Sequence, residues 1–101
     1  VRLLTHDYSL SRAFVARGMQ LEREVYILKD IYIGENSFIG TKSIILPGVR
    51  IGKNVIVGAG SVVRGEIPDN SIVIGNPAQV VDNTIEWAKR KEEKKDYFEN
   101  R

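Results

Sequence analysis

The sequence of 101 residues contains no cysteine and only one histidine, His6. The absence of cysteine excludes a disulfide framework, a thiolate nucleophile and a cysteine-ligated metal site within these residues. A single imidazole cannot form a histidine cluster, so we expect no metal cofactor. Any acid-base chemistry that needs an imidazole from this chain must therefore use His6.

Strong charge of one sign and long apolar runs are lacking as well. The net charge is +2, and the basic residues are mixed with acidic ones, so no nucleic-acid partner is expected. No apolar run approaches the about 20 residues that a membrane-spanning helix needs. We therefore expect no membrane insertion and, by default, a cytoplasmic protein.

An aliphatic residue recurs at every sixth position through the middle of the chain. A helix would show spacings of three and four and a strand an alternation of two, so this period predicts an all-β solenoid of short repeats. Each unit would form one short strand and a turn, and three units would close one coil. A generic aliphatic β-sandwich is the alternative. The seven positions are Ile27, Ile33, Ile39, Ile45, Ile51, Val57 and Val63.

Small residues accompany the repeat at two places. Glycine directly follows four of the aliphatics, which we interpret as relief of backbone angles at the corners of the coil. The residue four places after each aliphatic is small or branched, which lets the next face close tightly. The four glycines are Gly34, Gly40, Gly52 and Gly58.

The predicted solenoid is short. Residues 27–68 supply a little over two coils, and a solenoid needs about three repeats before stacking outweighs the cost of ordering. The residues Val1 to Thr5 also resemble a strand entered midway. We therefore expect further coils before this sequence, support from partner subunits, or both.

Two segments fall outside the repeat. Residues 7–24 lose the period and predict a loop extruded from the domain of residues 1–81, which is either functional or a solvated insertion. Residues 82–101 predict a C-terminal helix and tail. There Asn83 is the expected N-cap, and Glu86 stands three residues later, as in a capping box. The charged run from Lys89 to Lys95 is expected to face solvent.

Three stretches of the sequence carry a family resemblance: residues 45–52 (ILPGVRIG), residues 57–63 (VGAGSVV) and residues 75–78 (GNPA). They resemble the hexapeptide-repeat acetyltransferases of the sugar and polysaccharide O-acetyltransferase type. The resemblance implies a left-handed parallel β-helix, against the right-handed rule for parallel crossovers. It also implies a homotrimer with active sites between subunits, acetyl-CoA as the donor and a saccharide as the acceptor.

The resemblance implies that His6 is the catalytic general base. Similar family members carry a histidine just before the extruded loop, where it takes the proton from the acceptor hydroxyl as that oxygen attacks the thioester. An imidazole suits this role because it is both neutral and basic near neutral pH. A histidine that only satisfies a turn is the alternative. Asp7 and Tyr8 are expected beside the acceptor, although a turn role is favoured for Asp7.

The resemblance also suggests coenzyme contacts, carried over by motif match to Phe38, Thr41, Ala59, Gly60 and Arg64. For each of them a structural role as a corner or core residue is an open alternative.

One departure concerns the coenzyme phosphates. Many members place basic residues where this chain has Gln79 and Asp82. Arg64, Lys53 or another subunit would then have to supply the positive charge.

Three alternatives to a sugar O-acetyltransferase follow from the sequence. Zinc enzymes of the γ-class carbonic anhydrase type share the expected fold but need three imidazoles, two of them from one chain. A non-catalytic trimeric scaffold would keep the repeat without needing His6. An amino-sugar N-acetyltransferase would use the same base, so the acceptor site alone would distinguish it.

Overall fold

The structure, a computed structural model, describes residues 2–100, and side chains from residue 3 onwards. Most elements are two-residue strands, as the six-residue repeat predicts. In chain order they are β1 (Arg2–Leu3), β2 (His6–Asp7), α1 (Ser9–Ala16), β3 (Ile27–Leu28), β4 (Tyr32–Ile33), β5 (Phe38–Ile39), β6 (Ile44–Ile45), β7 (Arg50–Ile51), β8 (Ile56–Val57), β9 (Val62–Val63), β10 (Glu66–Ile67), β11 (Ser71–Gly75), β12 (Ala78–Asn83) and α2 (Thr84–Lys94).

The chain visits three sheets in rotation. The first sheet has the order β1-β6-β9, the second β4-β7-β10, and the third β5-β8-β11 followed by β12. Within these three sheets all pairs are parallel except β11 with β12. Tyr32 pairs with Arg50 and Phe38 with Ile56, so three six-residue units separate stacked partners. Three successive strands, one from each sheet, therefore make one coil, and three coils are stacked.

The core consists of the stacked aliphatics of the three parallel sheets together with Val49 and Val55 from the corners. Ile45, Ile51 and Val57 of the second coil are at most 1% exposed, because coils lie on both sides of them. Ile33 of the first coil is 38% exposed, since none of the described residues covers that end. Burial therefore decreases towards the first coil.

The structure contradicts the reason given for the glycines after the aliphatics. None of these four glycines has a positive φ. A Cβ at Gly34 would lie 2.5 Å from the Gly52 carbonyl oxygen, and one at Gly40 would lie 2.5 Å from the Ala59 nitrogen. These two glycines are thus needed because adjacent coils approach closely.

The residues with a left-handed backbone conformation lie two positions after the residue that follows a stacked aliphatic. The residues there are Asn36, Lys42, Gly48, Asn54, Gly60 and Asn70, with φ between 56° and 79°. Asparagine and glycine tolerate this conformation best, which explains five of the six identities. The small residues of the repeat behave as predicted. Ser43 and Ser61 are buried, and each donates its hydroxyl to the Gly58 carbonyl.

The segment between the first and second sheets differs most from its prediction. His6, expected just before the extruded loop, and Asp7, expected to begin it, pair instead as β2, antiparallel to β3. Ile27 lies in this hairpin, so it is not part of the stacked column despite its matching position in the repeat. Residues 9–16, expected to be a loop, form α1. We call residues 6–28 the excursion.

The C-terminal prediction is largely confirmed. The expected helix is α2, and Asn83 caps it, since its Oδ1 accepts the amide hydrogens of Ile85 and Glu86 at 2.9 and 3.1 Å. In a capping box the Glu86 side chain would accept the Asn83 backbone amide. In the structure the Asp82 carboxylate accepts this amide instead, at 2.8 Å. Within residues 2–100, no helix is long and apolar enough to span a membrane.

Candidate active site

His6 lies at one particular corner of the coiled domain. The chain turns from the first to the second sheet through residues 46–49 in the second coil and residues 64–65 in the third. In the first coil the excursion replaces this short connection, and both of its ends lie at the same corner. The Lys29 amide donates to the Thr5 carbonyl at 3.1 Å and so closes the base of the excursion. We call this the first corner.

The imidazole of His6 is exposed and has two neighbours. Its Nδ1 lies 3.1 Å from the Thr5 hydroxyl oxygen, and its ring centroid lies 5.3 Å from that of Tyr26. The tautomer whose Nδ1–H donates to Thr5 leaves Nε2 unprotonated. A general base needs this form, because Nε2 must accept a proton from the reacting group.

Asp7 does not orient the imidazole. Its Oδ1 accepts the Ser9 backbone amide at 2.8 Å at the start of α1. The hydrogen bonds from the Ser9 amide and hydroxyl hold the pKa of the Asp7 carboxyl below its usual range. The carboxylate therefore fixes the first turn of the helix, as the turn interpretation predicted.

Ser11 joins the two halves of the excursion, and the sequence analysis did not identify it. It is fully buried, accepts the Val25 amide at 2.6 Å, and donates its hydroxyl to the Val25 carbonyl at 2.7 Å. An exposed ion pair between Arg12 and Glu24, at 3.1 Å, lies next to it. No sequence signal distinguishes Ser11 from the polar residues around it, because its partner is backbone 14 residues away.

Removing the Ser11 hydroxyl should loosen the excursion. In Ser11→Ala both backbone groups of Val25 lose their partner, so we expect local opening to become easier by about 1–3 kcal/mol. Hydrogen exchange of peptides covering residues 9–28 measures this, with peptides from the stacked coils as internal reference. The control is Arg12→Ala, whose exposed ion pair contributes about 0–1 kcal/mol. Unchanged exchange in Ser11→Ala would contradict the assignment.

The residues expected to contact coenzyme fall into two groups. Thr41, Ala59 and Gly60 meet at the corner between the third and first sheets, where the Gly60 amide donates to the Thr41 carbonyl at 2.9 Å. Phe38 lies on β5, just before this corner, and its side chain is 65% exposed. We call this the third corner. Arg64 lies instead at the first corner, two coils from the excursion.

An apolar groove borders the third corner. It has a volume of about 330 Å³ and lies between the third sheet and Trp87 of α2. Ile56, Ile72 and Ile74 line it together with Gly58, which directly precedes Ala59 in the chain. The groove therefore leads from α2 to the backbone of the third corner.

The positive charge near this groove is compensated. Asp82 accepts hydrogen bonds from the Asn83 amide and the Arg90 guanidinium, which together hold the pKa of its carboxyl below the usual range. Gln79 is exposed and uncharged. Lys53 lies 3.9 Å from a Glu35 oxygen. Within residues 2–100, no three His, Asp or Glu side chains are grouped so that they could hold a metal ion.

Comparisons with known proteins identify similar transferases. Residues 22–65 match the family model of the bacterial transferase hexapeptide, six repeats. A galactoside O-acetyltransferase of Lactococcus lactis is 46% identical over 80 residues, which cover 79% of this chain and 36% of that protein.

Two solved structures are similar as well. A galactoside acetyltransferase in complex with coenzyme A has a TM-score of 0.71 and 30% identity, over 86% of this chain and 40% of that one. A hexapeptide-repeat acetyltransferase from Vibrio cholerae, complexed with acetyl coenzyme A, has a TM-score of 0.67 and 31% identity, over 81% and 42%. The chain thus spans 36% to 42% of the length of these relatives.

Proposed function

We propose that this chain is a hexapeptide-repeat transferase, an acetyl-CoA-dependent O-acetyltransferase that acts on a sugar or polysaccharide hydroxyl. The observation that carries the proposal is the 46% identity with a galactoside O-acetyltransferase over 79% of this chain. The two similar structures that hold coenzyme A or acetyl coenzyme A support the choice of donor. The parallel coils are proposed to wind left-handed, as the family resemblance implies.

His6 is the proposed base. Its Nε2 takes the proton of the acceptor hydroxyl while that oxygen forms a bond to the acetyl carbonyl carbon. The carbon–sulfur bond then breaks, and the imidazolium returns the proton to the departing thiolate, so the products are an acetate ester and a free thiol. The exposure of the ring and its Nδ1 contact with Thr5 suit this role. No side-chain nucleophile is required.

The third corner is the proposed coenzyme site. Ala59 and Gly60 carry at most a methyl group, and a Cβ at Gly60 would meet nothing within 4 Å, so the backbone there is open to a ligand. The adjoining apolar groove and the exposed Phe38 ring could line a thin, flexible arm with amide groups, such as pantetheine. Asp82 and Gln79 supply no positive charge for its phosphates, so Arg64, Lys53 or another subunit is proposed to do so.

The separation of the two corners supports an assembly. His6 projects from the first corner, whereas Thr41, Ala59 and Gly60 lie at the third, across a face of the same chain. A complete site therefore takes its base from one copy and its coenzyme contacts from another, for which the family's homotrimer is the proposed arrangement.

An acceptor screen tests the proposed function. The protein is incubated with acetyl-CoA and a panel of sugars and amino sugars, free thiol is followed, and the product is identified as an ester or an amide. We expect thiol release that depends on a sugar hydroxyl, with an ester as product. An amide would identify an amino-sugar N-acetyltransferase instead. No turnover on any acceptor, together with no rise in melting temperature with acetyl-CoA, would support a non-catalytic scaffold.

A further inference from the structure

Two tyrosines adjoin His6 on the excursion and form one group of rings with it. The centroid of Tyr26 lies 5.0 Å from that of Tyr8 and 5.3 Å from that of His6, with tilted ring planes. Tyr8 is the N-cap residue of α1, but its side chain makes no capping hydrogen bond. The phenol of Tyr8 is therefore not needed to start the helix.

The backbone of both tyrosines is fixed on two sides. In the hairpin His6 pairs with Leu28 and Asp7 with Ile27, and this register brings Tyr8 opposite Tyr26. Ser11 holds Val25, the residue before Tyr26, through two hydrogen bonds. Asp7 holds Ser9, the residue after Tyr8. The two rings are thus positioned before any ligand arrives.

The ring pair is open to solvent rather than part of the core. Tyr8 is 52% and Tyr26 45% exposed. The faces of the two rings are inclined to each other by 43°, and each exposed ring presents a flat apolar face whose phenol group can hydrogen-bond at its rim. Tyrosine also offers a large contact area at a low cost in side-chain entropy. A pyranose ring is complementary to such a surface, because it has an apolar C–H face bordered by hydroxyls.

We propose that Tyr8 and Tyr26 form an acceptor subsite that stacks on the C–H face of a pyranose ring. This inference rests on the proposed function and names the part of the acceptor that is recognised. Because the Tyr26 centroid is 5.3 Å from that of His6, a sugar on this face has its edge beside the imidazole. The subsite therefore selects a cyclic acceptor and presents one of its hydroxyls to the base.

Binding of methyl β-D-galactopyranoside, measured by saturation-transfer NMR without acetyl-CoA, tests the subsite. We expect transfer to the C–H protons of the sugar with the parent protein and with Tyr26→Phe, and its loss with Tyr26→Leu, which keeps bulk but removes the flat ring. The matched control is Tyr97→Leu, since Tyr97 is 53% exposed in the C-terminal tail. In turnover, Tyr26→Leu should raise KM for the sugar about three- to tenfold and leave KM for acetyl-CoA unchanged.

Two results would overturn the subsite: no transfer from the parent protein, or equal transfer from Tyr26→Leu. Sugar binding by a parent protein that does not turn over would refute the proposed function and leave the subsite standing. Turnover by the parent protein, with unchanged sugar affinity in Tyr26→Leu, would support the proposed function and refute the subsite. If Tyr26→Leu lowers the melting temperature, Tyr8→Leu tests the same surface from the opposite strand.

Discussion

Replacing His6 with alanine should lower kcat for acetyl transfer about 10²- to 10⁴-fold, the usual contribution of a positioned general base. The chain has no second histidine that could take over. The exposed position of His6 means that its removal leaves no cavity in the core, so the melting temperature should not change. Thiol release with saturating acetyl-CoA and acceptor measures the loss.

The pH profile separates a base from a merely structural histidine. In the parent protein kcat should fall on the acidic side, because a general base must be unprotonated to accept the hydroxyl proton, and His6→Ala should lack this limb. Arg17→Ala is the control, because Arg17 is an exposed residue of the same excursion whose side chain has no proposed role. Parental kcat in a folded His6→Ala protein would refute the assignment.

Replacing Gly40 with alanine should destabilise the domain by about 3 kcal/mol, at the upper end of the usual range for overpacking. The added Cβ would lie 2.5 Å from the Ala59 nitrogen and 2.7 Å from the Val57 oxygen. Both atoms are backbone of the next coil, so no side chain can rotate away and the coils must separate. Urea unfolding measures the change in the free energy of unfolding.

Gly60 offers a matched comparison, because its backbone conformation rather than a neighbouring coil favours glycine there. Its φ is +72°, and a Cβ there would meet nothing within 4 Å. Gly60→Ala should therefore cost only the about 1–2 kcal/mol of a left-handed alanine. If Gly60→Ala proves more destabilising than Gly40→Ala, the close approach of coils is not what requires glycine after the aliphatic.

The stacked coils could be predicted from the sequence because a repeat constrains each position many times. Ile45, Ile51 and Val57 all occupy the same place in the unit, so one inward side chain predicts the others. The role of the glycines could not be predicted in the same way. A glycine required by φ and one required by a neighbouring backbone have the same appearance in a sequence, and only the structure shows that Gly34 and Gly40 belong to the second kind.

The excursion was predicted as an interruption but not as a structure. Ile27 matches the repeat by position, yet its partner is Asp7 in an antiparallel hairpin. Such pairing depends on contacts between residues far apart in sequence, as does the bond between Ser11 and Val25. The candidate base His6 followed from the family resemblance, whereas Tyr26 became a candidate only once the hairpin placed it beside His6.

Complementation between two inactive variants tests the central claim most directly. Copies with His6→Ala and copies with Ala59→Glu, which places a carboxylate at the third corner, are unfolded together in equal amounts, refolded and assayed for thiol release. If the base and the coenzyme contacts come from different copies, about a quarter of the interfaces in a random mixture combine two intact halves, and a similar share of activity returns. No recovery by a mixed assembly, although the parent protein refolds to full activity under the same conditions, would contradict a site shared between copies.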